Sequence, residues 1–276
     1  MTVLITGGTG NTGRPLAALL RARGVAVRVA SRHPAADPDH VRFDWSDPRT
    51  HGPALDGAEQ VYLVPPIGTL NPLPLVEPFL QAAEGRRVVL LGALAVFPGH
   101  TELRDRVAAM AGSTVLRPSG FMQNFTGPHP VAVDLRERGV LRTATGNGRV
   151  GWIDAADIAA VADAVLAADE VADEYLLTGP ETLSHAEAAA ILTEVTGRPV
   201  RHQQISLEER ARQLTAALPA DFATALAAVD LDIRRGSEDL VTTAVPDLTG
   251  RPARSFREFA RAHRAECTPP PAPRPG

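Results

Sequence analysis

The run Thr6-Gly7-Gly8-Thr9-Gly10-Asn11-Thr12-Gly13 constrains this chain more than any other stretch. Gly7, Gly10 and Gly13 stand three apart. The apolar run Val3-Leu4-Ile5 precedes them, and Leu16, Leu19 and Leu20 follow at helical spacing. Glycines between a buried strand and a helix predict a tight β–α corner rather than a loop. Gly7 permits the positive φ, or the missing Cβ, that such a turn demands. Gly10 lets a diphosphate approach the backbone, and Gly13 lets the helix pack against the sheet. The open N–H groups and partial positive charge of the helix N-terminus favour an anion there. Thr9, Asn11 and Thr12 add hydroxyl and amide donors.

The end of the second strand distinguishes between dinucleotides. A fold that prefers NADH places Asp or Glu there, accepting from the ribose 2′-OH. Here the chain reads Ala30-Ser31-Arg32-His33, with no carboxylate. Arg32 offers a planar, permanently charged fork for a 2′-phosphate, and Ser31 a small donor beside it. The expected cofactor is therefore NADP(H).

Short apolar runs alternate with helical patterns through the first half, which implies βαβ units and a parallel sheet. Strands are predicted over 3–6, 26–30, 41–43, 60–64, 87–91, 113–116 and 174–178. A first helix is predicted over 12–23, with Gly24 as its C-terminal cap and Pro15 tolerated in its first turn. A second begins near Leu73, after a connection made irregular by Pro65, Pro66 and Pro72. Over 152–168, Ile158, Val161 and Val165 form one helical stripe, and Asp154 can cap it. Ser184 with Glu187, Ser206 with Glu209, and Ser255 with Glu258 read as capping boxes, so the C-terminal part is mainly helical. The proline-rich end, 266–276, reads as a disordered tail.

Composition excludes several chemistries. All 28 basic residues are arginine, which rules out a Schiff base, a Walker A lysine and the Tyr-x-x-x-Lys pair of ordinary short-chain dehydrogenases. Against 32 acidic residues the net charge is −4, which argues against nucleic-acid binding. Cys267 is the only cysteine, so no internal disulfide framework exists. No leader or membrane segment is visible, and a cytoplasmic protein is expected. His129, His185 and His202 show no metal-ligand spacing, and no Gly-x-Ser-x-Gly elbow occurs.

Four motifs together resemble the NmrA-like family of atypical short-chain dehydrogenases/reductases, in its bacterial quinone-reductase-like branch. They are Ile5 to Gly13, Leu116-Arg117-Pro118-Ser119-Gly120-Phe121-Met122-Gln123-Asn124, Trp152-Ile153-Asp154-Ala155-Ala156-Asp157-Ile158-Ala159, and Leu177-Thr178-Gly179-Pro180. The resemblance spans roughly residues 1–265. It implies an α/β, Rossmann-type doubly wound parallel sheet with a smaller, mainly helical C-terminal substrate lobe. The NADP-binding domain would be 1–125, completed by 148–177; the lobe would be 126–147 and 178–265. Gly7, Thr9, Gly10, Asn11 and Thr12 would hold the pyrophosphate, and Ser31 and Arg32 the adenosine phosphate. Asp44 would face the adenine edge, and Val64, Pro65 and Pro66 would border the ribose. Pro118, Ser119 and Phe121 would lie near the nicotinamide. Two departures fall near the expected substrate site. Leu91-Gly92-Ala93 lacks the usual serine, and the segment 100–114 is about two residues short.

A proton donor is harder to find. Tyr62 and Tyr175, the only tyrosines, both fall inside strands and read as packing residues. His100, after Phe97-Pro98-Gly99, is the best titratable candidate. Asn124 can donate to a carbonyl oxygen, and Gln123 is a weaker candidate. Phe121 and Trp152 read as an apolar wall or as core. Arg136, Arg138 and Arg142 read as a solvated face. A quinone or other conjugated acceptor needs least help, because its reduced oxyanion is stable. The expected function is NADPH-dependent hydride transfer to a small apolar quinone, enone, or other conjugated carbonyl or imine. Two alternatives stay open at this point: an NADP(H) sensor without turnover, and a scaffold reused for non-redox biosynthesis. The expected partner is a small molecule, for a monomer or homodimer, with no nucleic acid and no membrane.

Overall fold

The computed structural model describes residues 1–97 and 99–268. Eleven strands are found there: β1 (Thr2–Ile5), β2 (Ala26–Ser31), β3 (His40–Arg42), β4 (Gln60–Leu63), β5 (Arg87–Leu91) and β6 (Thr114–Pro118), then β7 (Val140–Thr143), β8 (Arg149–Val150), β9 (Glu174–Leu177), β10 (Leu183–Ser184) and β11 (Arg201–Gln204). The chain divides into two compact units.

The first unit comprises Met1–Pro118, Ala155–Leu177 and Ala244–Arg251. Its sheet has the order β3-β2-β1-β4-β5-β6-β9, and every neighbouring pair is parallel. The order reverses direction between β1 and β4, so the topological switch point lies at the carboxyl ends of those strands. The strands are apolar on both faces, as a covered parallel sheet requires. On one face Leu4, Val61, Leu63, Val88 and Leu90 pack with Val76, Phe79 and Leu80 of the helix Leu73–Ala82 and with Leu103 and Val107 of the helix His100–Ala108. The helices Gly13–Ala22 and Ala155–Ala167 pack against each other, and Arg23 pairs with Asp163 at 2.7 Å. The short stretch 109–113 still closes, because the Ser113 hydroxyl accepts the Val88 N–H at 2.9 Å.

The second unit comprises Ser119–Asp154, Thr178–Thr243 and the chain from Pro252 onward. It is mainly helical, with two small ribbons: β7 pairs with β11 in parallel, and β8 with β10 antiparallel. Its helices include Pro130–Arg138, His185–Thr196, Leu207–Leu214, Ala220–Arg234 and Phe256–Ala262. Ser184 with Glu187 and Ser255 with Glu258 form complete capping boxes. The third expected box is half formed. Ser206 accepts the Glu209 N–H at 3.1 Å, but the Glu209 carboxylate pairs with Arg142 instead of reaching back.

Several stretches fall differently from the sequence reading. Residues 119–125 and 148–154, expected in the first domain, belong to the second unit. Residues 244–251, expected in the lobe, belong to the first, where Arg251 pairs with buried Asp157 at 2.9 Å. Glu266 and Cys267, expected in the tail, lie in the short helix Arg264–Cys267. Cys267 is buried, with its sulfur 3.6 Å from the Phe125 carbonyl, and burial pushes its thiol up to about 12. The remaining tail residues, 269–276, lie outside the described residues. Among the described residues no helix is long and apolar enough to cross a membrane.

Candidate functional site

The glycine-rich corner sits at the switch point of the first unit. The Thr6 hydroxyl accepts the Val64 N–H at 2.7 Å and so ties the end of β1 to the end of β4. Gly7 has φ +62°, and a Cβ there would lie 3.1 Å from the Val64 Cβ. At Gly8 a Cβ would come within 2.7 Å of Val29, and at Gly13 within 2.5 Å of the Gly7 carbonyl oxygen. Gly13 therefore fits the helix to the corner itself rather than to the sheet. Gly8 was not singled out by the spacing argument, because its reason is packing against β2 and not the period of three. Thr9, Gly10 and Asn11 are exposed, while Thr12 is buried. The helix Gly13–Ala22 carries no side-chain cap; in its first turn the Arg14 N–H donates to the Gly10 carbonyl at 3.2 Å and Pro15 has no N–H, which leaves the Gly13 N–H for an acceptor.

At the end of β2, the Ser31 hydroxyl is buried with no hydrogen-bond partner among the described residues. Arg32 beside it is exposed. The Asp44 carboxylate accepts the Ser46 N–H at 2.9 Å and the Ser46 hydroxyl at 2.7 Å. Those bonds hold it below the usual carboxylate range, and the nearby Arg32 charge adds to this. Phe43, Trp45, His51 and Phe79 pack edge and face beneath it.

Val64, Pro65 and Pro66 follow β4, half-buried. Pro65 lines a cleft together with Gly92, Ala93, Phe97, His100 and Arg117. His100 opens the helix His100–Ala108, and its Nε2–H donates to the Thr69 carbonyl at 3.0 Å. Arg117 braces the chain after β5 by donating to the Ala93 and Leu94 carbonyls at 3.2 and 3.3 Å. Just before this segment the Gly92 N–H donates to the Leu116 carbonyl at 2.8 Å. Tyr62 is fully buried, and burial raises its pKa above that of an ordinary phenol. Tyr175 accepts the Ala172 N–H at 3.0 Å. Tyr62 is thus a core residue of the sheet, and Tyr175 holds the turn that leads into β9.

Pro118 is buried at the end of β6. Ser119, the next residue, begins the second unit, and its buried hydroxyl donates to the Gly151 carbonyl. Phe121 bridges to Ile153. The Asn124 N–H donates to the Phe121 carbonyl at 3.0 Å inside the 3₁₀ turn Met122–Phe125. Gln123 donates to Asp154 at 2.9 Å. Trp152 is core: it is buried, packs edge-on to Phe125 at 5.0 Å, and donates to the Leu183 carbonyl. Glu238 was missed. It is only 4% exposed, and its carboxylate accepts the Gly120 N–H at 2.9 Å. Gly236-Ser237-Glu238-Asp239 gave no signal, because in sequence it looks like any solvated acidic turn.

Among the remaining histidines and arginines, His129, His185, His202 and Arg210 of the second unit lie close enough to act on one another. His185 and His202 stack at 5.6 Å and bond to Thr145 and Thr143. No group of possible metal ligands occurs among the described residues. Arg138 and Arg142 are paired with acids, and Arg136 donates to the Gly127 carbonyl.

Residues 92–231 match the NmrA-like family. The chain is 42% identical to YesF of Bacillus subtilis, described as an uncharacterized oxidoreductase, with 96% of each chain covered. The chain belongs to the NmrA-like family. It is also 36% identical to agroclavine dehydrogenase of Claviceps fusiformis, over 94% of this chain and 96% of that one. The fold matches the NADPH-dependent quinone oxidoreductase QOR2 of Escherichia coli, in complex with NADPH, with a TM-score of 0.79 at 23% identity. That alignment covers 95% of this chain and 99% of the other. This NmrA-like protein is an NAD(P)H-dependent oxidoreductase. The first unit fits a nicotinamide dinucleotide on its own observations: a corner with no Cβ at Gly7, Gly8, Gly10 and Gly13, a helix N-terminus without a side-chain cap, and an orphaned buried hydroxyl at the end of β2.

Proposed function

We propose that this NmrA-like oxidoreductase uses NADPH to reduce a small, apolar, conjugated acceptor: a quinone, an enone, or a conjugated imine. The observation that carries the cofactor choice is the end of β2. Ser31 and Arg32 stand where an NADH-preferring chain has a carboxylate, and the buried Ser31 hydroxyl has no hydrogen-bond partner among the described residues. A 2′-phosphate would receive the Ser31 O–H and the Arg32 fork; a bare 2′-OH would leave both poorly used.

The residues then divide the work. Gly7, Thr9, Gly10, Asn11 and Thr12 bind the diphosphate through backbone and side-chain donors. Asp44 sits at the adenine edge, held by Ser46, and Val64, Pro65 and Pro66 border the ribose. Pro118, Ser119 and Phe121 are assigned to the nicotinamide's surroundings. Bound, the reduced nicotinamide supplies the hydride. The acceptor takes that hydride at carbon or at a quinone oxygen, and its developing oxyanion or amide takes one proton. With both tyrosines structural and no lysine, no strong acid is at hand, which favours acceptors whose reduced form is a stabilised anion. His100 lines the first unit's cleft and is the proposed relay for acceptors that still need a proton. Asn124 is the proposed donor to a carbonyl oxygen.

A screen of NADPH oxidation against quinones, enones, imines and ketones tests this reading. Turnover with the conjugated members and little with simple ketones is expected. Tight NADPH binding with no oxidation by any acceptor overturns it in favour of a sensor.

A further inference from the structure

Three segments of the second unit meet at one buried carboxyl. Two backbone bonds join the first pair of segments: the Ile153 N–H donates to the Gly120 carbonyl at 3.0 Å, and the Met122 N–H to the Ile153 carbonyl at 2.8 Å. The Ser119 hydroxyl donates to the Gly151 carbonyl. Glu238 then grips both strands of this junction. Its side chain accepts the Gly120 N–H at 2.9 Å, and its main-chain carbonyl accepts the Gly151 N–H at 3.1 Å. There is little slack, because a Cβ on Gly120 would lie 2.7 Å from the Trp152 ring and one on Gly151 2.6 Å from the Leu240 carbonyl oxygen. Two of the three segments carry the motifs that mark the family; the third is the unflagged acidic turn.

We infer that Glu238 is a positioning residue, which holds Ser119-Gly120-Phe121 in its working conformation through the reach of its side chain to the Gly120 N–H. The inference rests on the reading above, in that this segment is there assigned to the nicotinamide's surroundings. Burial raises the carboxyl's pKa, with nearby Asp230 adding to the rise and the Gly120 N–H opposing it. What matters in this arrangement is an acceptor oxygen at the right distance, not a negative charge. A buried amide N–H that loses its acceptor is costly, so the segment would move rather than leave Gly120 unpaired.

Two conservative variants separate reach from charge. Glu238→Gln keeps the length and an acceptor oxygen. Glu238→Asp keeps the acid but withdraws it by one methylene. In E238Q we expect kcat within about threefold of wild type and the Gly120 amide still protected from hydrogen exchange. In E238D we expect kcat to fall at least about tenfold and Gly120 to exchange at least about tenfold faster, with the NADPH Kd nearly unchanged. Thr196→Ala removes a buried bond to the Leu192 carbonyl in the helix His185–Thr196 of the same unit, and serves as the stability control. It should lower Tm without lowering kcat. The inference is overturned if E238D is the active variant and E238Q the inactive one. It is equally overturned if both match wild type, or if T196A loses kcat in step with Tm as E238D does. Wild-type protein that turns over no acceptor defeats the oxidoreductase reading alone, and the Gly120 exchange rates still decide the role of Glu238.

Discussion

Gly13 opens the first helix so close to Gly7 that a side-chain carbon on it would lie 2.5 Å from the Gly7 carbonyl oxygen. The corner and the start of the helix are thus packed backbone on backbone, and the Arg14 N–H ties them further by donating to the Gly10 carbonyl at 3.2 Å. Gly13→Ala should destabilise the first unit by about 1–3 kcal/mol, as overpacking does. It should also weaken NADPH binding by roughly tenfold or more, because the diphosphate site shifts with the helix. Thermal unfolding and titration check both. A variant with wild-type Tm and affinity would mean that the corner is softer than its contacts imply.

His129 should give the protein a specific acid sensitivity. Burial, with the Arg210 charge adding to it, lowers its pKa to about 4, while the Asn124 carbonyl opposes the shift. Burial also lowers His185 well below the ordinary imidazole value, with His202, Arg210 and His129 acting in the same direction. Both groups bind protons more readily in the unfolded chain, near pH 6.5, than in the folded one. For His129 the stability this gives is fully present above about pH 6.5 and is lost as pH falls through about 4, a loss on the order of 3 kcal/mol. His129 also caps the helix Pro130–Arg138 by accepting the Val131 N–H at 3.3 Å. His129→Asn keeps a good cap and removes the titration. Denaturation between pH 7 and 4 should show a shallower loss in H129N. An unchanged slope would place the acid sensitivity elsewhere.

His100→Ala should slow turnover of an enone or imine by about tenfold or more, as removal of a general acid does. The loss with a quinone should be smaller, since its reduced oxyanion is stable. Steady-state rates with the two acceptor classes decide the matter. Equal small effects on both would leave His100 as the tether that holds the Thr69 carbonyl at 3.0 Å.

The parallel sheet and the opening corner were legible because their signals are local. An apolar strand, three glycines and a helical stripe lie within about twenty residues, and each calls for the next. Strand Arg87–Leu91 begins and ends where the sequence predicts, and the other predicted strands shift by one or two residues. The small ribbons of the second unit were not legible. β7 pairs with β11 across about sixty residues, and β10 is two residues long, so neither leaves a period to read. The unit boundaries were hidden for a related reason. Ser119 and Gly120 are drawn to Gly151 and Glu238 by single hydrogen bonds, and no composition change marks such a tie. Arg142 shows the same effect in reverse: it looked like part of a solvated face, yet takes the Glu209 carboxylate that a capping box would have used.

The central claim is that the opening corner binds a nicotinamide dinucleotide and that Ser31 and Arg32 select the phosphorylated form. Calorimetric titration of wild type and Arg32→Ala with NADPH and with NADH tests it most directly. Wild type should bind NADPH more tightly, and R32A should lose about 10- to 100-fold in NADPH affinity, the worth of charge-assisted hydrogen bonds to a phosphate, while NADH affinity stays within about twofold. Equal weakening for both nucleotides, or no heat with either one, would contradict it.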